Sequence, residues 1–117
     1  MPSHERDTGS ATILAAVGVA TLIVVLAVGL QVAGAVIARH RAESAADLAA
    51  LAGAAKVLTG QQSACSTAGS IAAANGAMLQ DCELIGLDLR VMVRVDAALG
   101  PIGGSAAGRA RAGPVLP

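Results

Sequence analysis

From Thr8 to Ala38 the chain carries no charged side chain, and from Ala11 onward only Thr12, Thr21 and Gln31 interrupt the apolar residues of that run. A helix needs about 20 residues to cross the hydrocarbon core of a bilayer, and this run exceeds that length. The segment therefore predicts a membrane-spanning helix over 11–38, preceded by a short polar segment, 1–10, with Glu5, Arg6 and Asp7 just ahead of the apolar start. Hydrophobic residues make up 55% of the 117 residues and charged residues 14%, which is too apolar for an ordinary small soluble domain. Pairs of small residues four apart, Ala16 and Ala20, Gly29 and Ala33, Gly34 and Ala38, would let a second helix approach closely.

A secretory signal peptide is the rival reading of the same run. Ala33-Gly34-Ala35 has the small-x-small form of a cleavage site, and cleavage near Ala35 would release the remainder as a secreted effector or binding domain. The apolar stretch from Ile13 to Leu30 is longer than a typical signal core and continues past that site, which favours a retained anchor.

Helical character persists beyond the apolar run. Arg39, His40 and Arg41 are followed by AESAADLAALAGAAKVL, rich in strong helix formers, with Leu48, Leu51, Ala55 and Leu58 along one seam. Arg39 and Glu43 form an i, i+4 pair, and Asp47 extends the same polar face. We expect an amphipathic helical stalk over 39–59, continuous with the membrane helix, whose leucine seam packs either on this chain's own domain or on a neighbour's helix. Arg39 and Arg41 are placed to meet lipid headgroups or partner subunits, and Asp47 is a candidate partner-facing acid.

Residues 60–117 are expected to form a small α+β domain with a flexible C-terminus. Gly60-Gln61-Gln62 breaks the stalk, Ser63 or Ser66 could cap a short helix through Ala74, and Asn75-Gly76 would end it in a left-handed turn. Leu87, Leu89, Val91, Val93 and Val95 then alternate with Asp88, Arg90, Met92, Arg94 and Asp96, the period of a half-buried strand with Arg90 and Arg94 on its solvated face. Gly100-Pro101 and Gly103-Gly104 signal a turn, and Ala106 to Ala112 returns as a second strand, making a small β-hairpin that needs cover from a helix.

A domain of this size barely offsets its chain entropy with a hydrophobic core alone. A bridge between Cys65 and Cys82 would restrain the unfolded chain by roughly 3 kcal/mol, and it requires an oxidising compartment. Two unpaired thiols in the cytoplasm are the alternative. His4 and His40 lie far from both cysteines in sequence, so no metal site is expected, and no phosphate loop, HExxH, CxxC or nucleophile elbow marks an enzyme. Eight Lys plus Arg balance eight Asp plus Glu, and Phe, Tyr and Trp are absent, which argues against nucleic-acid partners. No cofactor or small-molecule substrate is expected.

Three segments together resemble the TadE/TadG-like family, pilin-like membrane proteins of the tight-adherence (Flp) pilus and related secretion systems. Gly9-Ser10-Ala11-Thr12-Ile13-Leu14-Ala15 resembles the family's Gly-Ser-Ala-Thr-Val-Glu-Phe type of start. Arg39-His40-Arg41-Ala42-Glu43-Ser44-Ala45-Ala46-Asp47-Leu48-Ala49-Ala50-Leu51-Ala52 resembles its segment just past the membrane. Cys65, Ala73-Ala74-Asn75-Gly76-Ala77, Cys82, the alternating strand and Arg109-Ala110-Arg111-Ala112-Gly113-Pro114 resemble a short actinobacterial TadE-like branch. The resemblance implies a non-enzymatic, single-pass subunit that packs with other pilin-like or secretion-system subunits, and it makes Gly9 and Ser10 the candidate processing site.

One position departs from the pattern. Prepilin-like proteins typically carry a Glu five residues after the processed Gly, and here that residue is Leu14. A buried Glu there can pair with a neighbour's new amino terminus, so its absence points to an accessory component rather than a shaft subunit. Topology draws on conflicting signals. Arg39 and Arg41 outnumber Arg6, which by the positive-inside rule mildly places the C-terminal domain in the cytoplasm, whereas the cysteine pair and the resemblance place it outside. We expect the amino end inside and the domain outside.

Overall fold

The computed structural model describes residues 2–97 and 104–115. In chain order these form helix α1 (Pro2–Ala54), a single 3-10 turn (Val57–Thr59), helix α2 (Gln61–Ala74) and strands β1 (Met78–Ile85), β2 (Asp88–Ala97) and β3 (Gly104–Ala112). The class is α+β, as expected. The sheet has three strands rather than two, antiparallel, in the order β1-β2-β3. The turn expected around Gly100-Pro101 and Gly103 lies outside the described residues.

The chain divides into two compact units, Met1–Ala33 and Gly34–Pro117. In the first, α1 is already helical from Pro2, a residue the first turn of a helix tolerates because its missing N–H would have no intrahelical partner there. Every side chain from Gly9 to Leu30 is exposed. From Gly9 onward the helix is long and apolar enough to cross a membrane, with a mean hydropathy of 2.8 in its most apolar window.

In the second unit, α1 ends at Ala54 and the chain passes through the 3-10 turn to Gly60, whose φ of +111° is a conformation that favours glycine. Gly60, not Ser63 or Ser66, is the N-cap of α2, and both serines lie inside that helix. The other end of α2 follows the sequence expectation. Asn75 caps it, Gly76 adopts φ +73°, and the amides of Gly76 and Ala77 donate to the carbonyls of Ala73 and Ala72, the bond pattern of a Schellman ending. Strands β1 and β2 are joined by Gly86 and Leu87, with Gly86 at φ +64° in the first central position of a two-residue hairpin turn.

The core is built from alternation on the sheet and small residues on the helices. Leu89, Val91, Val93 and Val95 of β2 point inward, and Leu89 and Val93 are the largest fully buried side chains. Against them lie Ala42, Ala45, Ala46, Ala49 and Ala50 of α1 and Ala64, Ala68 and Ala72 of α2. The alanine face allows close approach. At Gly108 of β3 a Cβ would collide with the carbonyl of Ala42, and at Gly53 it would collide with the Leu89 side chain and approach the Ala64 carbonyl oxygen to 2.8 Å. An alanine methyl yields about 0.8 kcal/mol on burial, much less than a leucine side chain, so this core relies on a covalent staple. Cys65 of α2 and Cys82 of β1 supply it as a disulfide, with Cα atoms 5.8 Å apart.

This packing changes the reading of the stalk. Residues 38–54 of α1 belong to the same compact unit as the sheet, and they enter its core through alanines. Of the proposed packing seam, Leu48 is 46% exposed, Leu51 68% and Leu58 91%. The chain's own domain takes the small-residue face and leaves the leucines in the open.

Candidate functional site

At the start of the second unit, the Arg39 Nε donates to Glu43 Oε1 over 3.1 Å, the expected i, i+4 pair, and His40 Nδ1 lies 4.0 Å from Glu43 Oε2. The Arg39 and Glu43 side chains are 77% and 46% exposed, so the pair contributes only a few tenths of a kcal/mol, about 0.5 at most. Arg41 and Asp47 are exposed as well. Arg41 lines a small hollow with Ser44, Asn75 and Val95, which sets the α2–β1 turn beside this part of α1.

The leucine seam divides in two. Leu51 and Leu58 meet Val57, Leu87 and Pro114 around an open cleft of about 540 Å³, and Leu48 stands outside it. Leu87, read in sequence as the first inward residue of the strand, is instead a turn residue that is 51% exposed. Val57, Leu87 and Pro114 were not legible as partners of the seam, because they come from the 3-10 turn, the β1–β2 turn and the segment after β3, whose meeting depends on the tertiary fold. The cleft's polar rim is Arg111, whose guanidinium is bound to Asp88 of β2 through Nε at 2.9 Å and through Nη2. On the outer face of the sheet Arg90 and Arg94 are exposed, as anticipated, and Arg94 lies 3.9 Å from Asp96.

Gly9 and Ser10 sit within α1, exposed and helical. Cys65 and Cys82 are joined to each other. Among the described residues no group of three or more metal-ligating side chains comes together, and no buried side-chain polar atom lacks a hydrogen-bond partner. The described residues present an apolar cleft lined by Leu51, Leu58 and Leu87 and a charged outer sheet face, both surfaces of a kind that packs against partners.

Comparison with known proteins agrees with the character of α1. Residues 9–56 match the family model described as "Tad: Putative Flp pilus-assembly TadE/G-like". No curated protein matches the chain. No solved structure matches it either. The matched segment spans both the exposed apolar helix and the alanine face that seats the sheet. Over residues 9–56, which include most of α1, the chain is similar to the TadE/G-like Flp pilus-assembly family.

Proposed function

We propose that this protein is a non-enzymatic accessory subunit of a Tad/Flp-type pilus or secretion assembly, anchored once in the cell membrane and docked to other subunits of that assembly. The observation that carries this reading is the inverted use of α1, which buries its alanines within the chain and exposes Leu48, Leu51 and, just beyond its end, Leu58. Exposed large apolar residues beside a cleft are costly in water and are relieved by a partner surface. In this reading residues 11–38 span the bilayer, 39–59 rise from it and 60–117 complete an extracytoplasmic domain. Arg39 and Arg41 meet the headgroup layer. The Cys65–Cys82 bridge supports the outside location, since disulfides persist in oxidising compartments. Leu14, in place of the glutamate of shaft-forming pilins, supports an accessory role.

The test is site-specific photo-cross-linking from position 51 in intact membranes. Adducts with other membrane subunits are expected, and recovery of monomer alone would overturn the reading. A reporter fused after Pro117 is expected to be active only outside the cytoplasm.

A second reading has one observation in its favour. The compact unit begins at Gly34, beside the small-residue site Ala33-Gly34-Ala35, so cleavage near Ala35 would release the unit with its core alanines intact. Mass spectrometry of the mature amino terminus separates the cases. A start near Val36 means release, a start at Ser10 means pilin-type processing, and an intact start means a permanent anchor.

A further inference from the structure

The two edges of the sheet differ in charge. Asp81 and Glu83 stand on the outer face of β1, and Arg109 and Arg111 on the outer face of β3, all exposed. Register places them in matching rows: Glu83 is level with Arg90 and Arg111, and Asp81 is level with Met92 and Arg109. Arg111 is held by Asp88, whereas Asp81, Glu83 and Arg109 have no ion-pair partner among the described residues. Apart from the ladders to β2, neither β1 nor the described part of β3 makes a backbone hydrogen bond along its length. Both edges therefore present unpaired N–H and C=O groups, which template the addition of another strand.

We infer that the β3 edge of one copy pairs with the β1 edge of a second copy, extending the sheet from subunit to subunit. Strands β1 and β3 run in the same direction, because each is antiparallel to β2. Copies held upright in one membrane therefore meet as a parallel pair, and this clause rests on the anchored reading above. With the rows kept level, Arg109 comes beside Asp81 of the neighbour and Arg111 beside its Glu83. The two-fold alternatives are disfavoured: β3 against β3 sets arginines against arginines, and β1 against β1 sets acids against acids. Charges on a sheet edge usually block pairing, and here they block the symmetric pairings while matching the head-to-tail one. Such a contact is heterologous, so it propagates instead of closing at a dimer.

Cysteines placed off the charged rows test this in the full-length chain in membranes. Met78 and Ala107 share the next row, both are exposed, and neither contributes charge. Oxidation of membranes holding Met78→Cys and Ala107→Cys chains together is expected to give a mixed dimer that neither variant forms alone. A chain with both substitutions is expected to give a ladder of oligomers. Adding Arg109→Glu should abolish the ladder, and Asp81→Arg in the same chain should restore it. Dimers of Ala107→Cys alone, or a ladder indifferent to Arg109→Glu, would overturn the inference. Absence of every cross-link while position 51 still captures other subunits would overturn it too and leave the accessory-subunit reading standing. A Leu51 probe that yields only monomer would instead sink that reading itself.

Discussion

Between Gly9 and Leu30 every side chain of α1 is exposed, large and small alike, whereas between Ala38 and Gly53 the same helix hides its smallest residues and exposes Leu48 and Leu51. Both stretches contain Ala, Leu and Gly, but the first adds Val and Ile and the second adds Arg39, Arg41, Glu43 and Asp47, and they differ in what surrounds them. In the first, no described side chain of Gly9–Leu30 is covered within its own unit, and in the anchored reading proposed above lipid is the solvent of its Ile, Val and Leu. The second faces a strand that already supplies bulk through Leu89, Val91, Val93 and Val95, and only methyl groups fit against it. Burial here follows the space left by the opposite layer, and hydrophobicity alone does not predict it.

The sharpest way to break this contrast is to deny the close approach. Gly108→Val would drive a branched side chain into the Ala42 carbonyl, and a loss of about 3 kcal/mol or more is expected. Hydrogen exchange of the full chain in detergent should show β3 losing protection. In the exposed stretch, Val24→Lys is expected to cost about 2.5–3.5 kcal/mol of membrane insertion. Alkaline extraction should then release the protein while the Gly34–Pro117 unit keeps its melting behaviour.

Removing the staple with Cys65→Ala and Cys82→Ala together should lower the stability of the second unit by roughly 3 kcal/mol, read by denaturant unfolding. Ala49→Leu makes the buried face resemble the exposed one, and overpacking of about 1–3 kcal/mol is expected in the same assay. Leu51→Ala should change stability by less than about 0.5 kcal/mol while reducing capture of partner subunits by photo-cross-linkers placed around the cleft. If Leu51→Ala destabilised the isolated chain as much as Ala49→Leu, the contrast between the two faces would be lost.

Much of this fold was legible from pattern. The charge-free run announced α1, strict alternation announced β2, and Asn75-Gly76 announced the end of α2. Strand β1 escaped notice for a physical reason. Its register slips between Leu79 and Asp81, so Gln80 is an extra residue and the inward positions Leu79 and Cys82 are three apart before the spacing of two resumes at Leu84. Acidic residues on its outer face further obscured it. The leucine seam was recognised as needing a partner, but its destination was not legible, because a reading that weights leucine over alanine cannot see which face the sheet will fill. The same holds for Gly60, which starts α2 through its backbone while two nearby serines offered the more familiar cap.

The Cys65–Cys82 bridge also has a mechanical meaning. It closes a loop across a sequence separation of 17 within α2 and β1, while α1, β2 and β3 lie outside that loop. Tension between the two ends of the chain cannot stretch the enclosed residues, which withholds on the order of 60 Å of extension at about 3.4 Å per residue. Under load, α1 and the β2–β3 pair can separate while α2 and β1 remain tied. A unit tethered on one side and pulled on the other therefore keeps a cross-linked remnant around which the sheet can reassemble when the force drops.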